Sequence, residues 1–162
     1  MSDPVPATPA RQVLIQRLYL KDASVEVPLA PQVFTRQWNP QIDVQVGTAA
    51  AALGNNLHQV MLTVTVTAKL GEDVGFLVEV QQAGIFEVVG FAGDSDIQAI
   101  LGGYCPGVIF PFAREAIADL VQRSGFPPIL LQPINFEGLY VEHLTRSREQ
   151  GAAAGMPGAT VQ

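Results

Sequence analysis

Few residues of this chain could do catalytic chemistry, and they form no recognisable catalytic motif. The only cysteine, Cys105, would need a base beside it to act as a nucleophile, and neither His58 nor His143 lies in a motif that would place it there. Because an unpaired cysteine is commonly buried, we expect Cys105 to be structural. One cysteine and two histidines do not make a structural zinc site without carboxylates, so the sequence predicts no metal.

The sequence also lacks clear motifs for nucleotide binding and for acid–base catalysis. The sequence contains no Gly-x-x-x-x-Gly-Lys run that would cradle a phosphate, and Gly102-Gly103 is interpreted as a break between helices. The adjacent acids Glu72-Asp73 are typical of a solvated turn. The sequence therefore predicts no cofactor and a protein that is not an enzyme.

The competing class is a hotdog-like acyl thioesterase or dehydratase, because a long helix against an antiparallel sheet also describes those enzymes. They need a carboxylate or a histidine at the start of that helix. This chain has Tyr104, Cys105 and Pro106 there. A structural oligomer without a client is a further alternative.

The composition predicts a surface that is short of charge and carries exposed apolar groups. The 162 residues suit one domain, and only 15% are charged against about 25% in a typical protein, so apolar atoms must be exposed. Exposed apolar patches usually mark binding sites or subunit contacts. The net charge of −6 argues against nucleic acid.

The compartment expected from the sequence is the cytoplasm. Residues 1–10 contain three prolines and lack the basic start and apolar core of a signal peptide. A single cysteine fits a reducing environment. No apolar run of about 20 residues is found, so we expect no direct insertion into a membrane.

Patterning predicts strands first and helices afterwards. Residues 13–27 form a β-rich run, and alternation of apolar and polar residues recurs at 42–46, 59–67 and 76–81, with a hairpin turn at 70–73. Four strands without helices between them make an antiparallel sheet.

The helical part begins where the Asp94-Ser95-Asp96 run is expected to cap a short helix that ends near Leu101. Cys105-Pro106 opens a long helix that Gly125 ends, and Asn135 caps a last helix. The predicted fold class is therefore α+β, a four-stranded antiparallel sheet with a long crossover loop, backed by two main C-terminal helices. We expect residues 1–10 and 151–162 to be disordered around one domain at 11–150.

The loop from Pro28 to Pro40 is long for a hairpin and apolar for a loop. It carries three prolines, Phe34 and the single tryptophan, Trp38. The loop is expected either to be a lid on its own sheet or to form an aromatic wall of a binding groove, and both can hold at once.

Several segments, in this order and spacing, resemble the SecB family of ATP-independent protein-export chaperones. The resemblance runs from about Ile15 to Leu144. It rests on QRLY with KD near residues 16–22, APQVF followed by Trp38, VTVTAKLGE, FLVEVQQAGIF, GGYCPGVIFPFARE and PINFEGLY.

The resemblance implies a tetramer, arranged as a dimer of dimers, that holds unfolded preproteins in long grooves and hands them to the SecA motor ATPase. It places the crossover loop at Pro28–Pro40 and the C-terminal helix from Asn135 to about Gln150. One departure is the tail: the family's tail is usually acidic, whereas residues 151–162 carry no charged side chain.

Three groups of site residues are predicted from patterning and this resemblance together. A client-binding cleft is predicted in which loop aromatics face the last helix, although the helix stripe could instead pack on the sheet; its residues are Phe34, Trp38, Phe136, Leu139, Tyr140 and Leu144. The segment 37–113 holds seven acids and one base, and the family's flat acidic surface for SecA would fall on Asp22, Glu26, Leu77 and Glu79. One face of the fourth strand is expected either under the helices or in a subunit contact; its residues are Phe76, Val78, Val80 and Gln82.

Overall fold

A computed structural model describes residues 3–7 and 9–154 of the chain. Four strands form one antiparallel sheet in the order β1-β4-β3-β2. They are β1 (Gln12–Glu26), β2 (Gln41–Gly54), β3 (Leu57–Leu70) and β4 (Asp73–Val89). The central strands are therefore β4 and β3, and the edges are β1 and β2.

Short turns fix the register of the three consecutive strands β2, β3 and β4. Asn55 and Asn56 have positive φ angles of 54° and 62°, the left-handed conformation that a tight hairpin between β2 and β3 requires. Gly71 makes the next turn, and Leu70 pairs with Asp73, as the sequence predicted.

The helices come after the sheet in the chain. They are α1 (Asp94–Ala99) and α2 (Cys105–Arg123), linked by a π-helical turn at Ile100–Tyr104, and α3 (Phe136–Ala154). The long helix begins at Cys105 as predicted, and Gly125, with φ 92°, comes just after its end. The backbone N–H of Gly138 donates to Asn135 Oδ1 at 3.0 Å, which confirms the predicted cap of α3.

Two local predictions about the helices were wrong. Gly93 occupies the N-cap position of α1 without a side-chain cap, and Asp94 and Asp96 lie inside the first turn. Gly102-Gly103 does not break the chain into separate helices, because the helical path continues through the π turn. A π turn adds a residue to the helical repeat and has no distinctive sequence signal.

The last helix extends beyond the predicted C-terminal boundary of the domain. Gly151–Ala154 belong to α3, although the predicted disordered tail began at Gly151. The rest of that tail, 155–162, lies outside the described residues, as do 1, 2 and 8 of the N-terminal segment. Residues 3–7, 9 and 10 are exposed and have no regular secondary structure.

The core lies between α2 and the inward face of the two central strands. Alternate residues of β3 and β4 are buried there, the largest being Leu62, Phe76 and Phe86, together with Ile109 and Ile117 of α2. Each fully buried side chain of this kind contributes about 1.5–3 kcal/mol to folding. The edge strand β1 packs on this core through partly buried side chains such as Leu18 and Val25, whereas all 14 residues of the other edge strand, β2, are exposed.

Candidate peptide-binding groove and acidic sheet face

The crossover loop packs on one end of the sheet. Val33, in a short 3-10 turn at Gln32–Thr35, is buried, and Trp38 is half-buried with its ring centroid 4.5 Å from Phe126 and 5.9 Å from Phe76. Phe34 lies 5.1 Å from Phe126 but remains 49% exposed. The lid interpretation therefore describes Val33 and Trp38, and Phe34 keeps an exposed edge.

The loop is also held by one ion pair. Arg36 Nη1 donates to Asp73 Oδ2 at 2.9 Å, joining the loop to the start of β4. Both side chains are largely exposed, so the pair stabilises the fold by less than about 1 kcal/mol. The aromatic packing above is therefore the main attachment of the loop.

The predicted stripe on α3 divides into three parts. Phe136 is buried in the core, with its ring centroid 5.6 Å from Phe110. Tyr140 is half-buried against Gly102, whereas Leu139 is 43% exposed and Leu144 is also exposed. Phe136 thus anchors the helix, and the later side chains of the stripe are free to contact a ligand.

An apolar cavity of about 580 Å³ separates the start of α3 from the edge strand β2. One wall is the inward face of β2, where the side chains of Ile42, Val44 and Val46 are exposed and not covered by a helix. The floor and the other wall are the segment 129–134 and Leu139.

A second cavity of about 310 Å³ continues the first along β2. Val46 and Leu139 line both cavities. The second is completed by residues of β2, the π turn and α3, namely Gly47, Thr48, Gly102, Phe136, Tyr140 and His143. We call the continuous feature formed by the two cavities the β2–α3 groove.

The structure separates the residues of the predicted cleft. Phe136, Leu139 and Tyr140 line the β2–α3 groove, whereas Phe34 and Trp38 pack around Phe126. Sequence reasoning did not include the β2 side chains or the segment 129–134. The signals were the apolar alternation of Ile42, Val44 and Val46 and the apolar run Ile129-Leu130-Leu131.

The outer face of the sheet, away from the helices, carries the predicted acidic group. The register pairs Ser24 with Glu79 and Glu26 with Leu77, and Asp22 lies opposite Gln81. Since paired residues project on the same side of a sheet, Asp22, Glu26, Leu77 and Glu79 share one surface, the acidic sheet face. Asp22 and Glu26 are exposed, and Leu77 and Glu79 are half-buried.

Glu79 lies near the middle of this surface. Thr65 Oγ1 donates to Glu79 Oε2 at 3.2 Å. Thr65 belongs to β3, whose outward residues at 63, 65 and 67 are all threonine. The outer face is therefore polar, with carboxylates toward β1 and hydroxyls toward β2.

The inward face of β4 is a core face in one chain. Phe76, Val78 and Val80 are completely buried, and Gln82 is 6% exposed. Gln82 also lines a shallow pocket with Leu20 and Phe112, which are both exposed. Phe76, Val78 and Val80 therefore lie in the core with α2. Of the four predicted residues, only Gln82, with its exposed neighbours, is at the surface where a subunit contact on this side of the sheet would form.

Cys105 has the surroundings of a structural thiol. It is fully buried, and desolvation raises its pKa from 9.0 to about 12, so the reactive thiolate is disfavoured near neutral pH. Residues 3–7 and 9–154 contain no cluster of three or more metal-ligating His, Cys, Asp or Glu side chains. Within the same ranges, no helix has the length and apolarity needed to cross a membrane.

The chain is thus an antiparallel sheet backed by helices, with an apolar groove between β2 and α3. The sequence matches the family described as preprotein translocase subunit SecB over residues 6–147. The chain therefore belongs to the SecB family of protein-export chaperones.

Individual relatives agree with this assignment. The chain is 46% identical to the protein-export protein SecB of Methylococcus capsulatus, over 90% of this chain and 94% of that protein. It is 50% identical to SecB of Chromobacterium violaceum, over 86% and 92% of the two chains.

A solved structure shares the fold. It is the Mycobacterium tuberculosis Rv1957 SecB-like chaperone in complex with a ChAD peptide from the Rv1956 HigA1 antitoxin, with a TM-score of 0.61 at 17% identity, over 75% of this chain and 87% of that one. The predicted α+β class and family are thereby confirmed, and nothing in these matches favours the hotdog-like enzyme.

Proposed function

We propose that this chain captures unfolded preproteins in the β2–α3 groove without ATP and keeps them competent for export from the cytoplasm. The observation that carries the proposal is the apolar inward face of β2, which lies open beside α3. Burying an apolar client side chain there is favourable by about 1.5–3 kcal/mol whatever its sequence context, which gives broad selectivity.

The edge position of β2 supports a second kind of client contact. Only one side of its backbone pairs with β3, so the other side can bond an extended polypeptide. Main-chain bonds would hold the client in place while its apolar side chains enter the groove. The exposed edge of Phe34 would contact clients that extend past the crossover loop.

Handover is proposed to use the acidic sheet face. Asp22, Glu26 and Glu79 surround Leu77, an arrangement that suits a basic segment of SecA with a small apolar contact. This face lies on the opposite side of the sheet from the groove. Client and motor could then be held at the same time, as a transfer between them requires.

Assembly into a homotetramer is the third part of the proposal. The exposed apolar side chains of Leu20 and Phe112 line one pocket beside Gln82, and adjacent exposed apolar groups of this kind support a subunit contact on this side of the sheet. Native mass spectrometry of the purified chain tests it: a tetramer that dissociates through dimers is expected, and a persistent monomer would contradict it.

The chaperone activity has a direct test. The chain is mixed with a chemically unfolded protein that aggregates on dilution, and light scattering is measured over time without ATP. We expect the chain to suppress aggregation of the client when about one chaperone assembly is present for each client molecule. A parallel assay with acyl-CoA serves as a control, in which no thioester hydrolysis is expected.

A further inference from the structure

The π turn at Ile100–Tyr104 contains a pair of glycines that lie directly against α3. A Cβ placed on Gly102 would come within 2.4 Å of Tyr140 Cδ2 and 2.7 Å of its Cε2, closer than such atoms approach in proteins. A Cβ on Gly103 would be 3.2 Å from the Cα of Glu137. The absence of side chains at 102 and 103 is therefore the feature that lets α3 come this close.

The helix has few other attachments. Phe136 fixes its first turn in the core, and Asn135 caps it. From Val141 to Ala154 every described residue is exposed. Tyr140 is thus the last residue of the described part of α3 that is not exposed, and its contact with Gly102 helps to set the direction of the remaining turns.

The same contact borders the β2–α3 groove. Gly102 and Tyr140 both line its 310 Å³ cavity, opposite Val46, Gly47 and Thr48 of β2. A methyl group at position 102 would push the Tyr140 ring away from the π turn. Because both residues line the cavity, its open space is available to a displaced ring, which would reduce the room left for a ligand.

We propose that Gly102 is a specificity-determining residue of the groove, which sets the size of client side chain admitted by holding the Tyr140 ring back from β2. This inference rests on the proposed function. The ligand class is an extended polypeptide with bulky apolar side chains. Gly102 acts only through Tyr140 and is therefore a positioning residue.

The test compares Gly102→Ala with Gly107→Ala, a matched control. Gly107 lies one turn further along in α2, and a Cβ there meets nothing within 4 Å. The probes are an unfolded protein and two labelled peptides that alternate serine with either phenylalanine or valine. For Gly102→Ala we expect the phenylalanine peptide to bind about tenfold more weakly or worse, with a change under about threefold for the valine peptide. Gly107→Ala should bind both as wild type does.

A second pair of variants separates this role from a general loss of packing. In a Tyr140→Ala background the ring is gone, so adding Gly102→Ala should leave the ratio of the two peptide affinities unchanged. This pair also decides the matter if Gly102→Ala alone fails to fold.

The outcomes are distinct. The role of Gly102 would be overturned if Gly102→Ala weakened both peptides equally, or if its ratio of the two peptide affinities equalled that of Gly107→Ala. It would also be overturned if Gly102→Ala changed that ratio in the Tyr140→Ala background. If the wild-type chain binds neither the unfolded protein nor the peptides, the proposed function itself fails.

Discussion

The β2–α3 groove and the acidic sheet face lie on opposite sides of one sheet and are built by different means. The groove joins an edge strand to a helix nearly a hundred residues later, and its walls are apolar. The acidic sheet face arises from the pairing of β1 with β4, and its side chains are mostly charged. The first should bind by burial, with little response to salt, and the second by charge, with a strong response.

The largest expected effect comes from the strand that separates the two surfaces. Val78 is completely buried on the groove side of the sheet, and its neighbour Leu77 lies on the acidic side. Val78→Asp would bury an unpaired charge, at a cost of several kcal/mol, so we expect the chain to unfold or its assembly to fall apart. Circular dichroism and native mass spectrometry measure this.

Leu77→Asp is the matched control for Val78→Asp, because it adds the same charge one residue away on the polar side. It should keep the fold. A folded tetramer with Asp at position 78 would show that this face tolerates water, contrary to its burial.

The next effect concerns the loop rather than the groove. Trp38 packs on Phe76 and Phe126 and is only half-exposed, so Trp38→Ala should lower the free energy of unfolding by about 2 kcal/mol. Urea titration measures the loss, and Trp38→Phe should recover most of it. A normal stability together with a large loss of client binding would return Trp38 to the client-binding site.

Removing an apolar side chain from the groove should lower client affinity rather than the stability of the fold. Leu139 lines both cavities, so Leu139→Ser should weaken binding of an unfolded client by about 1.5 kcal/mol, roughly tenfold, with little change in stability. Fluorescence anisotropy with a labelled client gives the affinity. Val141→Ser, a change on an exposed part of the same helix, is the control, and an equal loss there would argue against the groove.

The smallest effect is expected on the acidic sheet face. Glu79→Lys should weaken SecA binding several-fold at low salt, leave client affinity unchanged, and lose its effect as salt is raised. Glu87→Lys tests position against charge: it lies on the same face of β4, about 26 Å further along the strand. If Glu79→Lys instead abolished client capture and spared SecA, the two sites would be reversed.

Local chemistry made much of the fold predictable. The turn at 70–73, the start of α2 at Cys105-Pro106 and the cap at Asn135 each depend on one or two residues with a strong conformational preference, and each is where the sequence predicted. To predict that Ser24 and Glu79 lie on one surface, it was enough to know that side chains alternate along a strand and that β1 pairs with β4.

The remainder depends on tertiary contacts that no local signal contains. Ala49–Ala52 favour helix, yet they form the end of β2 because β3 is there to pair with them. Phe34 and Trp38 pack on Phe126 and not on α3, and the sequence pattern gave no reason to select Phe126 as their partner.

The exposed edge of β2 has a consequence for the chain's own solubility. The other edge, β1, is interrupted by two irregularities in register and carries Arg17 and Lys21, devices that discourage pairing with another strand. β2 contains no lysine, arginine or proline and only one acid, Asp43. An extended, weakly charged edge of this kind is a template for cross-β growth. We therefore expect the strand that opens the groove to clients also to promote self-association of this protein when no other polypeptide covers that edge.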